Sequence, residues 1–201
     1  MLSASNLSCS RGGRPLFAGV DLRLEAGQWA HVRGANGAGK TSLLRILTGL
    51  SGPDAGEVRW NGEPIASNRA AWHTGLLYLG HQPAIKDDLT PLENLRAANE
   101  VEGLPLGDED ALRALRRFGL KGREDLPVRF LSAGQRRRVL LARTMTRPAQ
   151  AWILDEPLTA LDAHAVNDFS SLIAEHLARG GIAVITSHQT LPLAGGQEVE
   201  L

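Results

Sequence analysis

The chain is short of several things, and each shortage excludes a class of protein. It has one cysteine, Cys9, in 201 residues, so no disulfide can form within it. A reducing, cytosolic setting is the natural reading. Net charge is absent: Lys plus Arg and Asp plus Glu are both 22. No global field therefore draws the protein onto DNA, RNA or anionic lipid. No stretch approaches the roughly 20 apolar residues that span a bilayer, so a membrane role has to come through a partner. Residues 1–6 lack the basic region and apolar core of a signal peptide. Repeats, low-complexity tracts and flexible linkers are missing too.

What is present is an ordinary globular composition, 43% hydrophobic and 22% charged. A chain of this length fits one domain, or one with a smaller lobe, and buries roughly 70% of its unfolded surface. The first third reads as strands. Val20, Leu22 and Leu24 alternate with Asp21, Arg23 and Glu25, and residues 28–32 read as another strand. A helix-like run covers 41–50, with Leu43, Leu44 and Leu47 on one face. Residues 57–65 read as a hairpin turning at Asn61-Gly62. The middle is helical. Thr90-Pro91-Leu92-Glu93 has a cap, a first-turn proline and a capping-box Glu. Asp108 opens a helix striped by Leu112, Leu115 and Phe118, and Ser132 opens a third with capping-box spacing to Gln135. Residues 151–154 and 182–186 then read as buried strands. Between them lies a helix capped by Asp162, with Val166, Phe169, Ile173 and Leu177 on one face and Gly180-Gly181 at its end. Strand–helix–strand order of this kind argues for parallel core strands with right-handed crossovers.

Chemistry concentrates in a few segments. Gly34-Ala35-Asn36-Gly37-Ala38-Gly39-Lys40-Thr41 follows a strand and opens a helix, the pattern of a phosphate-binding loop. Its glycines let the backbone close on phosphates, and the N–H groups and helix start make an anion nest. Lys40 adds a full charge for the β- and γ-phosphates of ATP. Thr41 offers a hydroxyl to Mg²⁺, and Ser42 reaches the α-phosphate. Residues 151–154 run into Asp155-Glu156 at the strand end where α/β sheets bind nucleotides. Asp155 suits Mg²⁺, and Glu156 is placed to orient or deprotonate the attacking water.

Leu131-Ser132-Ala133-Gly134-Gln135 resembles the signature L-S-G-G-Q of ABC (ATP-binding cassette) ATPases, with Ala133 in place of a glycine. The resemblance covers nearly the whole chain. It implies an α/β phosphate-loop NTPase fold: a mixed core sheet with helices (1–82 and 148–201), a helical insert (83–147) and an N-terminal antiparallel β lobe. It implies that Gln82 contacts Mg²⁺ or the attacking water and that His188 contacts the γ-phosphate. In a head-to-tail homodimer, Ser132, Gly134, Gln135 and Asp162 would reach the nucleotide bound by the other copy. The family's stacking aromatic before the phosphate loop is missing. Arg11 stands there, either stacking on adenine with its guanidinium plane or lying as a solvated loop cation.

More narrowly, the chain resembles the ATPase subunit of the bacterial cytochrome c maturation system, the haem-exporter type. Cys9, Gly80-His81-Gln82-Pro83, Ala133 in the signature and the run Pro53-Asp54-Ala55-Gly56-Glu57-Val58 carry this. The resemblance implies a peripheral subunit at the cytoplasmic face of the inner membrane. Its partners would be integral membrane subunits of the haem-handling complex and, indirectly, a periplasmic haem chaperone. Residues 83–90 would be the docking segment. Two other readings are an ATPase of a different ABC exporter and a soluble ABC ATPase acting on ribosomes or DNA. Soluble ones usually carry paired cassettes, a coiled coil or zinc ligands, which are not found here. A phosphate-loop kinase or GTPase would lack the Ser132–Gln135 signature. The run Arg136-Arg137-Arg138 has no interleaved aromatics and reads as a solvated helix face, not a nucleic-acid patch.

Overall fold

The computed structural model describes residues 1–82 and 84–201. The described chain divides into two compact units, 1–81 with 149–156 and 169–201, and 82–148 with 157–168. Pro83, where the expected helical insert begins, lies outside the described residues.

In the first unit, β1 (Leu2–Arg11), β2 (Arg14–Leu24), β4 (Ala55–Trp60) and β5 (Glu63–Pro64) form an antiparallel sheet in the order β2-β1-β4-β5. Asn6, at φ 50, breaks the β1 register between Ala4 and Leu7. The bulge returns Leu7 and Cys9 to the buried face, which Leu2 and Ala4 already occupy. Asn61, at φ 52, turns the β4–β5 hairpin.

The second sheet has the order β6-β7-β8-β3-β9. Its strands are β3 (Trp29–Arg33), β6 (Leu76–Leu79), β7 (Ala151–Asp155), β8 (Ile182–Thr186) and β9 (Gln197–Glu200). Its strand pairs are parallel, and among the described residues the antiparallel pairs lie in the N-terminal lobe. Strands β7 and β8 are buried at all five positions, which is why they read as continuous apolar runs. Helix α1 (Lys40–Leu47) buries Leu43, Leu44, Ile46 and Leu47 in a core shared with both sheets. It is shorter than the sequence pattern suggests: Gly49 takes φ 77 and Leu50 is 54% exposed. Helix α2 (Arg69–Thr74) buries Trp72.

The second unit is helical: α3 (Pro91–Val101), α4 (Asp108–Arg117) and α5 (Ala133–Thr146). Both expected capping boxes form. Thr90 accepts from the Glu93 N–H at 3.2 Å, while Glu93 accepts from the Thr90 N–H at 2.8 Å. The buried stripe of α4 is Ala111, Ala114 and Leu115. Leu112 and Phe118 are half-buried, because the face turns one position toward the small alanines that let α3 and α5 approach. Helix α6 (Ala163–Ala178) begins in this unit and ends in the first.

Candidate functional site

The site in the first unit starts from the turn between β3 and α1. Gly39 is the residue before α1, with φ 108, a conformation that a side chain would strain. A Cβ there would also come within 3.0 Å of Leu16 and of the Phe17 ring. The Ala38 N–H donates to the Ala35 carbonyl at 3.2 Å, which curls the loop. The Lys40 ammonium donates to the Gly34 carbonyl at 2.7 Å and to the Ala35 carbonyl at 3.3 Å. It is thereby held over the loop whose N–H groups and helix start attract an anion.

The parallel sheet brings β7 and β8 beside this turn. Asp155 is 1% exposed. Its Oδ2 accepts from the Thr41 hydroxyl at 2.8 Å, and its Oδ1 accepts from the Thr186 hydroxyl at 2.8 Å. Thr186 also accepts the Glu156 N–H at 2.8 Å. Glu156 has φ 50, an uncommon conformation for a residue with a side chain, and this bond holds it there. Its Oε1 lies 3.5 Å from His188 Nε2. The carboxylate is mostly buried and the imidazole is 59% exposed. Nearby, burial first and the Asp155 charge second push the Tyr78 phenol above its usual value. It stays neutral beside the carboxylate.

These groups line a cavity of about 320 Å³, together with residues 35–37 and 39–42 of the loop and helix start. Two further lining residues, Leu16 and His81, escape the sequence reading. Leu16 gives no signal, because an apolar residue in a strand reads as core. His81 is adjacent to Gln82, which drew attention instead. Arg11 ends β1, exposed and paired in register with Arg14, and is not among the described lining residues. Gln82 is exposed and is grouped with the helical unit. Among the described residues, no group of three or more His, Cys, Asp or Glu side chains is gathered to hold a metal ion. Thr41 and Asp155 nevertheless offer two oxygens, 2.8 Å apart, of the kind a hard cation takes.

In the helical unit, Ser132 caps α5. Its hydroxyl accepts from the Gln135 N–H at 3.2 Å, and the Gln135 side chain accepts from the Ser132 N–H at 2.9 Å. Gly134 passes so close to the following loop that a Cβ would lie 2.8 Å from the Ala160 carbonyl oxygen. The same loop is tied to α5 twice more. Arg137 Nε donates to the Pro157 carbonyl at 3.0 Å, and Arg138 pairs with Asp162 at 2.5 Å. Asp162 also accepts from the Ala165 N–H at 2.8 Å. That backbone bond, with help from Arg138, holds its carboxyl below the usual range. The arginine run is thus partly committed within the protein.

Residues 17–159 match the ABC transporter family. Over 201 residues the chain is 51% identical to the cytochrome c biogenesis ATP-binding export protein CcmA of Dechloromonas aromatica (strain RCB), covering 100% of this chain and 98% of that protein. The protein of the same name from Escherichia coli (strain K12) is 50% identical over 195 residues, 96% of this chain and 92% of that one. A solved dimeric ATP-binding cassette, in a post-hydrolysis state bound to ADP and Pi, has a TM-score of 0.82 at 21% identity, over 94% of this chain and 88% of that chain. At that identity the likeness speaks for the fold. Matched across most of its length and half identical to its relatives nearly end to end, the chain belongs to the ABC transporter family.

Proposed function

We propose that the chain is the ATP-hydrolysing subunit of an ABC transporter complex for cytochrome c biogenesis, in haem export or in releasing a haem-loaded chaperone from its membrane partner. One observation carries the ATPase reading. A phosphate loop, a magnesium-type oxygen pair and a Glu–His pair line one cavity. The names of the half-identical relatives carry the assignment to cytochrome c biogenesis.

Residues 34–42 wrap the triphosphate. The loop N–H groups take its oxygens, and the Lys40 ammonium moves from the Gly34 carbonyl to the β- and γ-phosphates, exchanging a neutral acceptor for a charged one. Thr41 and Asp155 would hold Mg²⁺, which would offset charge on the β- and γ-phosphates, and Gln82 would contact the ion or the attacking water, as the family resemblance implies. Glu156 accepts a proton from water as its oxygen attacks the γ-phosphorus, and the bond to the β–γ bridging oxygen breaks to leave ADP. His188, 3.5 Å from that carboxylate, keeps it oriented and touches the γ-phosphate.

Two copies sandwich each ATP, with Ser132, Gly134, Gln135 and Asp162 of one copy facing the nucleotide held by Lys40 of the other. Arg138 offsets the negative charge Asp162 would bring near phosphate. Charge-assisted bonds contribute roughly 1.5–3 kcal/mol each, so losing the γ-phosphate loosens the dimer. The helical unit, with residues 83–90 as its docking segment, passes that motion to integral membrane subunits at the cytoplasmic face of the inner membrane. No helix among the described residues is long and apolar enough to cross a membrane. Arg11 stacks on adenine or lies solvated, and either way GTP competes better than in aromatic-bearing relatives.

Turnover and assembly of two variants test this. Glu156→Gln is expected to bind ATP, hydrolyse it at least about 100-fold more slowly, and accumulate as an ATP-dependent dimer on sizing. Lys40→Ala is expected to lose turnover with its fold intact. Wild-type hydrolysis by either variant overturns the site. Isolation from detergent-solubilised membranes without any membrane subunit overturns the transport role.

A further inference from the structure

We infer that His31 is a positioning residue for His188, acting through the backbone of Ser187. His31 sits in β3, three residues before the phosphate loop, and is 6% exposed. Its Nε2 lies 3.0 Å from the Ser187 carbonyl oxygen. A carbonyl only accepts, so Nε2 carries the proton and donates. Ser187 immediately precedes His188, and its carbonyl begins the peptide that carries that residue. The next anchor on either side is also a hydrogen bond. Thr186 is tied to Asp155 and to the Glu156 N–H, and the Gln189 N–H donates to Ser187 Oγ at 2.9 Å.

Trp29 strengthens the argument. It lies two residues before His31, so both side chains leave the same face of β3. Its indole N–H donates to the Ala194 carbonyl at 3.0 Å, and its ring stacks beside that of His31 with centroids 6.1 Å apart. One face of the strand that feeds the phosphate loop thus holds two points of the connection 187–196. His188 is 59% exposed and its recorded partner is Glu156 at 3.5 Å. An exposed imidazole has little packing to hold its direction, so its backbone has to supply it. His31 has no place in the cavity lining, and it acts on the reaction through Ser187 alone.

The inference rests on the proposed role of His188, and one set of variants separates the two. The full chain is assayed for ATP turnover, alone and in membranes containing its partner subunits. His31→Phe keeps a ring against Trp29 and removes the donor. It is expected to lower kcat about tenfold with KM within about twofold, because the contacts of residues 34–42 with the nucleotide are left in place. His31→Gln restores an N–H donor and is expected to recover most of the loss. In a His188→Ala background, adding His31→Phe is expected to lower kcat by less than about twofold, since a residue that acts through His188 has nothing left to position. The ring resonances of His188 are expected to broaden or shift in His31→Phe and return in His31→Gln, a readout independent of turnover. If His31→Phe does not fold, His31→Leu is put through the same comparison. Wild-type kcat together with unchanged His188 resonances in the donor-less variant overturns the inference, as do losses that multiply fully in the double variant. If His188→Ala itself turns over normally, the reading of the site falls first and takes this one with it.

Discussion

Thr186 shows how much one side chain can hold at this site. It is fully buried, donates to Asp155 and accepts the Glu156 N–H, so it aligns both carboxylates at once. Thr186→Val keeps the shape and removes both bonds. Leaving a buried donor unpaired costs about 1–3 kcal/mol. The expected result is a lower melting temperature, with kcat reduced more than KM, measured by calorimetry and steady-state turnover. That Lys40, Thr41, Asp155 and Glu156 belong to one cavity is legible in the sequence, because they sit in short motifs whose spacing is their geometry. The part played by Thr186 is not. Its role needs β8 to lie parallel beside β7, a contact between residues 31 apart in the chain.

At the scale of elements, two helices offer an internal control. Thr90 and Ser132 head α3 and α5 with the same capping box and the same 3.2 Å side-chain bond. Removing either cap, as Thr90→Ala or Ser132→Ala, is expected to cost about 1 kcal/mol. For a chain of this size that lowers the melting temperature by roughly 2–4 °C in both cases. ATP turnover in the assembled protein is expected to fall with Ser132→Ala alone, because only that cap faces nucleotide in the proposed dimer. Equal turnover in the two variants would remove Ser132 from the site. A second element-scale test uses Gly134. Gly134→Val pushes a branched side chain against the Ala160 carbonyl, 2.8 Å from where a Cβ would stand. Loosening of the 157–162 loop, read by hydrogen exchange, is the expected outcome. Helix starts were legible because caps and prolines are local signals. Strand β6 is not legible in the sequence, since four residues, Leu76–Leu79, carry no measurable period and become a strand by pairing with β7.

The whole molecule carries a pH dependence through His176. Burial, foremost, holds its pKa below the usual 6.5, while its ring stacks 3.9 Å from Trp152 and meets the Ile182 carbonyl at 3.1 Å. The folded protein therefore binds fewer protons here than the unfolded chain as pH falls through 6.5. Stability is full above that value, declines as pH drops through it, and levels off below the folded pKa. Melting temperatures on either side of 6.5 are expected to show this decline in the wild type and a smaller one in His176→Phe, which keeps a ring over Trp152. The sequence by itself determined the glycine-rich turn before α1, the strand ending in Asp155, the Ser132-capped helix and the α/β class. All of these are local patterns in which residue type and spacing dictate hydrogen bonding. Tertiary structure decided what distant segments share: Leu16 and His81 in the cavity, Arg11 outside its lining, Asp162 bound by Arg138, and His31 gripping the Ser187 backbone. Those contacts depend on strand order and parallel register, and a one-dimensional pattern does not encode which strand lies beside which.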